Sequence, residues 1–332
     1  MQQYRDTDYA AASAALHARE AKLLTQAMAE RMIDAATPEE SYKTLLECGY
    51  APLERCTLEN VEHALSQARR ELYREVSVLA PDKRIVELFQ IKYDYHNAKT
   101  LLKAAAMGRD PQPLLLPGGR YDPAELAEGW RREELRGCSP AFQAAMAQAK
   151  AVLEDSHDPQ QADLILDRAC YAEMELLARD LDSRFLQRYV RLLVDVANLR
   201  TAVRVHRMGR EPEFLRQVLL PGGSVSEQSI AAARADALGE LFAAGSLAQA
   251  AQLGAKLAHP GAGAMTDFER ACDDAVTAYL ASERRVPFGE EPVVGYLYAR
   301  EAEFTAVRTI FAGRAAKLEG DVIRRRLRET YV

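Results

Sequence analysis

A repeat with a period of about a hundred residues constrains this chain more than any other feature of its sequence. Residues 94–109 read DYHNAKTLLKAAAMGR and are followed by LLLPGG, and residues 195–210 read DVANLRTAVRVHRMGR and are followed by VLLPGG. A fainter third copy, EFTAVRTIFAGR, occupies residues 303–314. This period is too long for a solenoid unit, so it indicates three copies of one small helical domain.

Three lobes are therefore expected, each large enough for a modest core. The first would cover residues 1–118 and would include an additional leading helix at 8–33. The second would cover residues 119–223 and the third residues 224–332.

The pattern within the copies predicts an all-α fold. A first helix is expected at roughly 58–79, 160–181 and 266–284, and a second helix then carries the repeated motif. In the middle copy the apolar residues of this second helix step by four and three from Phe185 to Val203, as on a face that packs against a core. No alternating pattern competes as a strand.

Helix starts are marked by a capping residue directly before a proline. A short polar side chain there accepts free amide protons of the first turn, and proline loses nothing at that position. The expected capping residues are Thr37, Asp122, Ser139 and Asp158.

Composition excludes several classes of partner. The net charge of −6 and the pI near 5.7 argue against nucleic acid and anionic lipid. Five dispersed cysteines without a C-x-x-C pair are typical of reduced, buried cytosolic thiols. The polar start and the lack of a spanning apolar segment predict a cytoplasmic chain without direct insertion into the bilayer.

The two Pro-Gly-Gly segments admit two interpretations. Glycine-rich turns before a helix can cradle phosphate, but neither segment follows a strand or precedes Gly-Lys-Ser/Thr. The favoured interpretation is a turn that ends one lobe and starts the next.

Polar residues recur at matching positions of the repeat, next to its apolar stripe. Three interpretations are open: a structural contact in which the acid pairs with a base on a neighbouring helix, a contact with a partner protein, and a catalytic pair. The structural interpretation is favoured because an active site is normally built once. The residues are Asp94, Asn97 and Lys99, then Asp195, Asn198 and Arg200, then Glu303 and Arg308, with Ala306 in place of the third asparagine.

The sequence contains no recognisable catalytic, cofactor or metal motif. The six histidines are scattered, and neither H-E-x-x-H nor G-x-S-x-G occurs. Glu173 and Glu175 are interpreted as belonging to a solvated helix face. We therefore expect no catalytic residue, no cofactor and no metal ligand.

A basic cluster lies near the C-terminus. Its arginines could complement the dipole at a helix end or bind an acidic protein partner. They are Arg324, Arg325, Arg326 and Arg328.

Three long segments carry a family resemblance: DVANLR at 195–200 with MGR at 208–210, LLPGG ending at Gly223, and FGEEPVVGYLYAREAEFTAVRTIFAGR at 288–314. The tail VIRRRLRETYV and the segment AREAKLL at 18–24 fit as well. With these motifs in order along nearly its whole length, the chain resembles the C subunit of V/A-type ATP synthases, which corresponds to the d subunit of eukaryotic vacuolar ATPases. Ala306 is a departure from the repeated motif, so an amide is not required in every lobe.

The resemblance implies a funnel of three helical lobes around a pseudo-threefold axis. Members of this family sit on the cytoplasmic face of the membrane rotor ring of proteolipid subunits and receive the end of the central shaft, which the D and F subunits form. They have no active site, and they couple shaft rotation to proton or sodium transport. Two alternatives remain at this point: a generic helical adaptor on the same scaffold, and a helical hydrolase with an unrecognised site.

Overall fold

The computed structural model of the chain describes residues 4–331, and these residues contain helices and no strand. The prediction of an all-α fold is therefore confirmed. Short 3₁₀ segments join some of the α-helices. The α-helices are α1 (Ala10–Glu20), α2 (Gln26–Asp34), α3 (Pro38–Glu47), α4 (Leu58–Leu79), α5 (Arg84–Met107), α6 (Pro123–Arg131), α7 (Pro140–Ser156), α8 (Pro159–Asp180), α9 (Arg184–Arg207), α10 (Pro212–Val218), α11 (Glu227–Ala232), α12 (Leu238–Leu241), α13 (Ala248–Leu257), α14 (Thr266–Ser282), α15 (Glu291–Ala315) and α16 (Gly320–Arg324).

Each sequence copy contains two long helices. We call α4, α8 and α14 the first helices, and they match the predicted positions to within two residues. We call α5, α9 and α15 the motif helices, because they carry the repeated sequence. Each copy therefore repeats the same pair of long helices.

The motif helices form the centre of the molecule. Each of them buries 13 residues, whereas α4 buries six and α8 five. The apolar stripe predicted on α9 is buried along its whole length, from Phe185 to Val203. Burial on several sides is expected of a helix that is surrounded by other helices.

The copies contact one another in a cyclic order. Motif helix α5 packs against α8 of the second copy, and α9 packs against α14 of the third. Motif helix α15 packs against α4, which returns the contacts to the first copy.

The predicted caps are confirmed. The side chains of Thr37, Asp122, Ser139 and Asp158 each accept a backbone N–H from the first turn of the helix that follows. They fix the points at which α3, α6, α7 and α8 begin.

The single leading helix predicted over residues 8–33 is wrong. The chain forms α1 and α2 instead, separated by residues 21–25. Thr25 caps α2 by accepting the Met28 N–H at 3.3 Å. The Leu24 N–H donates to Glu303 at 2.9 Å, which fixes this amide outside a helical ladder. The apolar spacing continues across the break, so periodicity alone did not reveal it.

All five cysteines are free; Cys48, Cys170 and Cys272 are buried, and Cys56 and Cys138 are half-buried. Across residues 4–331, no helix combines the length and the apolar character needed to cross a membrane.

The N-terminal ends of the three motif helices lie close together. The Ser183 hydroxyl donates to the Glu290 carboxylate, which links the starts of α9 and α15. Arg84, the first residue of α5, donates to the Asp180 carbonyl oxygen at 3.3 Å. One turn further along, Phe89 and Tyr189 stack with their ring centres 5.7 Å apart.

This junction should make stability pH-dependent through Glu290. Burial raises the pKa of Glu290 to about 7, with Glu291, Asp6 and Asp82 adding to the rise and the Ser183 hydroxyl opposing it. The unfolded chain releases this proton near pH 4.3. Between these values the folded state binds more protons, so the free energy of unfolding falls as pH rises.

Glu290→Gln should therefore raise the free energy of unfolding by about 1–2 kcal/mol at pH 8, allowing for partial exposure, and change it little at pH 4.5. Urea unfolding at both pH values measures this. Glu154→Gln, at an exposed position on α7, is the control. An equal effect of Glu290→Gln at both pH values would contradict the assignment.

Candidate functional site

A cavity of about 570 Å³ lies between the motif helices. Its wall includes residues of α5 between Leu88 and Lys99, Tyr189 and Leu193 of α9, and residues of α15 between Tyr298 and Thr309. The first helix α8, Asp273 of α14, residues 326–331, and Leu23 and Leu24 before α2 also line it. All three sequence copies thus contribute to one central space.

In the first copy, the repeated acid and amide hold the Leu-Pro-Gly-Gly turn. The buried Asp94 carboxylate accepts the Arg120 N–H at 2.9 Å and the Arg120 Nε–H at 2.6 Å. The Asn97 amide donates to the Leu116 carbonyl oxygen at 2.9 Å and accepts the Leu116 N–H at 2.8 Å. Asn97 therefore pairs with the turn as a neighbouring strand would.

The second copy repeats this arrangement. Asp195 accepts the Ser224 N–H at 2.8 Å and also the Ser224 hydroxyl. Asn198 bonds the N–H and the carbonyl oxygen of Leu220, each at 2.8 Å. Asp195 and Asn198 thus hold the turn that precedes the third copy.

The third copy uses its acid on a different segment. Glu303 accepts the Leu24 N–H at 2.9 Å and the Tyr50 hydroxyl at 2.7 Å. Leu24 directly precedes the N-cap of α2, as Tyr121 precedes the N-cap of α6. All three acids therefore contact the backbone just before the N-cap of a short helix of the next copy in the cycle.

These contacts correct the predicted pairing of each acid with a base on a neighbouring helix. Arg120 belongs to the turn, Asp195 bonds Ser224, and Glu303 is paired with Arg300 of its own helix. The turn glycines fit closely because a Cβ on Gly119 would overlap Asp94, and one on Gly223 would lie 2.5 Å from Asp195. The acids are consequently turn clamps.

The repeated basic residues make the contacts between copies. Lys99 pairs with Asp167 of α8 at 2.6 Å, and Arg200 pairs with Asp273 of α14 at 2.7 Å. Arg308 forms a two-pronged pair with Glu62 of α4, at 2.7 and 2.8 Å. Each base therefore reaches the first helix of the next copy, and the third reaches the first copy.

The Glu173 side chain is only 9% exposed and belongs to this network, so its interpretation as part of a solvated face is wrong. Its carboxylate accepts from Arg120 at 2.8 Å, Ser139 at 2.7 Å and Tyr95 at 3.0 Å. Burial raises the pKa of Asp94 to about 6 against the opposing effect of Arg120. Glu175 does pair on the surface, with Arg179 one turn away.

A second polar network, around Glu301, was not found from the sequence. Glu301 of α15 accepts the Tyr73 hydroxyl at 2.7 Å and the Lys92 ammonium at 3.1 Å, and it also accepts the Tyr93 hydroxyl. Arg69 lies 4.0 Å away and is 3% exposed. Burial would raise the pKa of Glu301, but Lys92 and Arg69 hold it below its usual value. The network joins the first and third copies beside the cavity.

Two of the C-terminal arginines are held within the chain. Arg324 pairs with Glu30 of α2 at 2.7 Å, and Arg328 pairs with Asp273 at 2.6 Å. Arg325 is exposed and lies 3.4 Å from Asp267. The exposed guanidinium of Arg326 makes no ion pair with residues 4–331, and it borders the cavity.

These polar groups hold the turns in place and connect the three copies. The repeated acids and amides are saturated by turn hydrogen bonds, and the repeated bases are paired across copies. Within residues 4–331 no group of three or more His, Cys, Asp or Glu side chains is arranged to hold a metal ion.

The fold and the cavity together define a helical scaffold that is built from repeated units around a central space. The family model described as ATP synthase (C/AC39) subunit matches residues 12–326, and the chain belongs to this family. The family resemblance seen in the sequence is thus confirmed.

Curated relatives carry matching descriptions. The chain is 22% identical to the C subunit of the V-type sodium ATPase of Enterococcus hirae, over 95% of this chain and 97% of that protein. It is 24% identical to the C subunit of the A-type ATP synthase of Methanocaldococcus jannaschii, over 95% and 85%. It is 25% identical to the C subunit of the V-type ATP synthase of Thermus thermophilus, over 62% and 66%. The family is a structural subunit of a rotary ATPase, distinct from the catalytic one.

Proposed function

We propose that this chain is a central-stalk rotor subunit, which couples a shaft of the D and F subunits to the membrane rotor ring for ATP-linked proton or sodium transport. The shaft end enters the central cavity, and the opposite face of the chain rests on the ring at the cytoplasmic side of the membrane. The observation that carries this proposal is that one cavity is lined by the motif helices of all three copies.

The contacts along the motif helices support a funnel. Near their N-terminal ends the helices touch directly, through Ser183 with Glu290 and through Phe89 with Tyr189. Further along, Lys99, Arg200 and Arg308 reach the intervening first helices. Helices that touch at one end and are spaced by other helices at the other end form a cone.

The cyclic contacts support a pseudo-threefold arrangement of three lobes with boundaries near residues 118 and 223. The three bases make equivalent pairs in all three seams, and the three acids clamp equivalent backbone positions. A closed ring of seams suits a part that transmits torque, because each lobe is braced on both sides and packed interiors resist deformation.

A cavity-filling substitution tests the proposal. Thr305 of α15 is exposed, lines the cavity, and bonds the carbonyl oxygen four residues back. In Thr305→Trp the added ring would occupy the cavity, so binding of purified D–F shaft should weaken at least tenfold while binding to the ring is retained. Thr100 of α5 makes the same local bond outside the cavity lining, so Thr100→Trp is the matched control.

Three outcomes would speak against the cavity as the shaft socket or against a rotor subunit. Equal shaft binding by both tryptophan variants and the wild type would exclude the cavity as the socket. Copurification of the wild type without shaft or ring proteins would favour a generic adaptor. Deletion of the protein should leave the ATPase head detached from membranes, and a head that stays attached and coupled would contradict the proposal.

A further inference from the structure

We propose that residues 325–331, here called the strap, form a displaceable side of the cavity and must move when the shaft end seats fully. The inference rests on the proposed function, since it concerns the regulation of the same cavity. Within the part of the chain that the structure describes, residues 326–331 of the strap line the cavity, and the strap is not helical.

The strap is attached to α14 by a few partly exposed contacts. Arg328 pairs with Asp273 at 2.6 Å, with the two side chains 29% and 34% exposed. The Glu329 N–H donates to Asp274 at 2.9 Å. Ion pairs with this much exposure contribute little to stability, so the attachment is reversible.

The strap is also held by packing, since Leu327 near its start is 6% exposed. Tyr331 is 6% exposed, and its ring lies against Gly295 of α15, where a Cβ would overlap the hydroxyl. The Arg284 guanidinium lies over the same ring, 5.6 Å from its centre. A single glycine therefore makes room for the end of the strap.

The strap shares a carboxylate with one seam between copies. Asp273 accepts both Arg328 of the strap and Arg200 of the second copy. In the first seam, the repeated base Lys99 pairs with Asp167, which has no other ion-pair partner within residues 4–331. Release of the strap would leave Asp273 to Arg200, so strap position is linked to the seam between the second and third copies.

The strap forms one side of the cavity, where its residues 326–331 share the lining with the three motif helices and with Asp273 of α14. A shaft end that fills the cavity up to α14 must therefore move the strap off Asp273 and Asp274. A shaft end with basic side chains facing α14 would replace the arginines of the strap.

Two substitutions release the strap by different routes. Arg328→Ala removes its ion pair, and Gly295→Ala displaces Tyr331 while favouring α15, because alanine is the better helix former. The affinity of each full-length variant for purified D–F shaft is measured by calorimetry. Each variant should bind about two- to fivefold more tightly than the wild type. Arg204→Ala is the matched control, since Arg204 pairs with Glu269 of α14 at 2.7 Å without touching the strap.

Hydrogen exchange of residues 325–331 supplies the second measurement. Shaft binding to the wild type should speed exchange in the strap. Equal affinities of all variants, or slower exchange in the complex, would overturn the strap while leaving shaft binding intact. Failure of the wild type and every variant to bind shaft would instead contradict the proposed function, and the strap's role with it.

Discussion

Glu301→Ala should lower the free energy of unfolding by about 3–5 kcal/mol, the largest effect expected of any single substitution here. Glu301 accepts from Tyr73, Tyr93 and Lys92. Its removal also leaves Arg69 buried without a nearby carboxylate, and the Nε and Nη1 atoms of Arg69 already have no hydrogen-bond partner. An uncompensated buried charge is the costly result of breaking such a pair.

The control for this substitution is Glu75→Ala. Glu75 also accepts from an arginine distant in sequence, Arg19 at 2.8 Å, but the two side chains are 47% and 38% exposed. Its loss should change the free energy of unfolding by less than about 1 kcal/mol. Urea unfolding of both variants gives the comparison, and similar values for the two would show that the Glu301 network adds no more than a surface pair.

The helices of this fold could be predicted from sequence because their signals are local. Capping residues such as Asp122 and Asp158 act on amides two or three positions away, and the apolar stripe of α9 reflects burial of one helix. The break after α1 escaped prediction because the apolar spacing continues across it, and because one contact that fixes it, with Glu303 on α15, is distant in sequence.

The candidate site was only half predictable for the same reason. Asp94 and Asn97 were recognised, and so was the glycine turn, but their contact joins positions 19 to 27 residues apart. Glu301 gave no repeat signal, since the matching positions of the other copies hold Lys92 and Leu193. The opposite charges of Lys92 and Glu301 can be recognised as a pair only when the structure shows that the first and third copies are in contact.

The contact of Asn198 with the turn leads to the second large prediction. Asn198 is 0% exposed and satisfies both backbone groups of Leu220. Asn198→Ala would leave a buried N–H and a buried carbonyl oxygen unpaired, at about 1–3 kcal/mol for each group. We expect a loss of about 2–4 kcal/mol in the free energy of unfolding, and faster exchange of the Leu220 amide.

Asn60→Ala is the matched control, because Asn60 also donates from its side-chain amide to a backbone carbonyl, that of Arg55, but at an exposed site. Its effect should stay within about 0.5 kcal/mol. Asn97→Ala should reproduce the Asn198 result, since Asn97 makes the same two bonds to Leu116. The third copy has Ala306 at this position, and the chain after α15 forms α16, which packs against α2, without a Pro-Gly-Gly turn. If the asparagine amide served the interior of each lobe, no copy would tolerate alanine at this position. Because the amide instead holds the turn to the next copy, alanine is tolerated only in the third copy, which has no such turn. Tolerance of alanine at Asn97 and Asn198 as well would contradict this account.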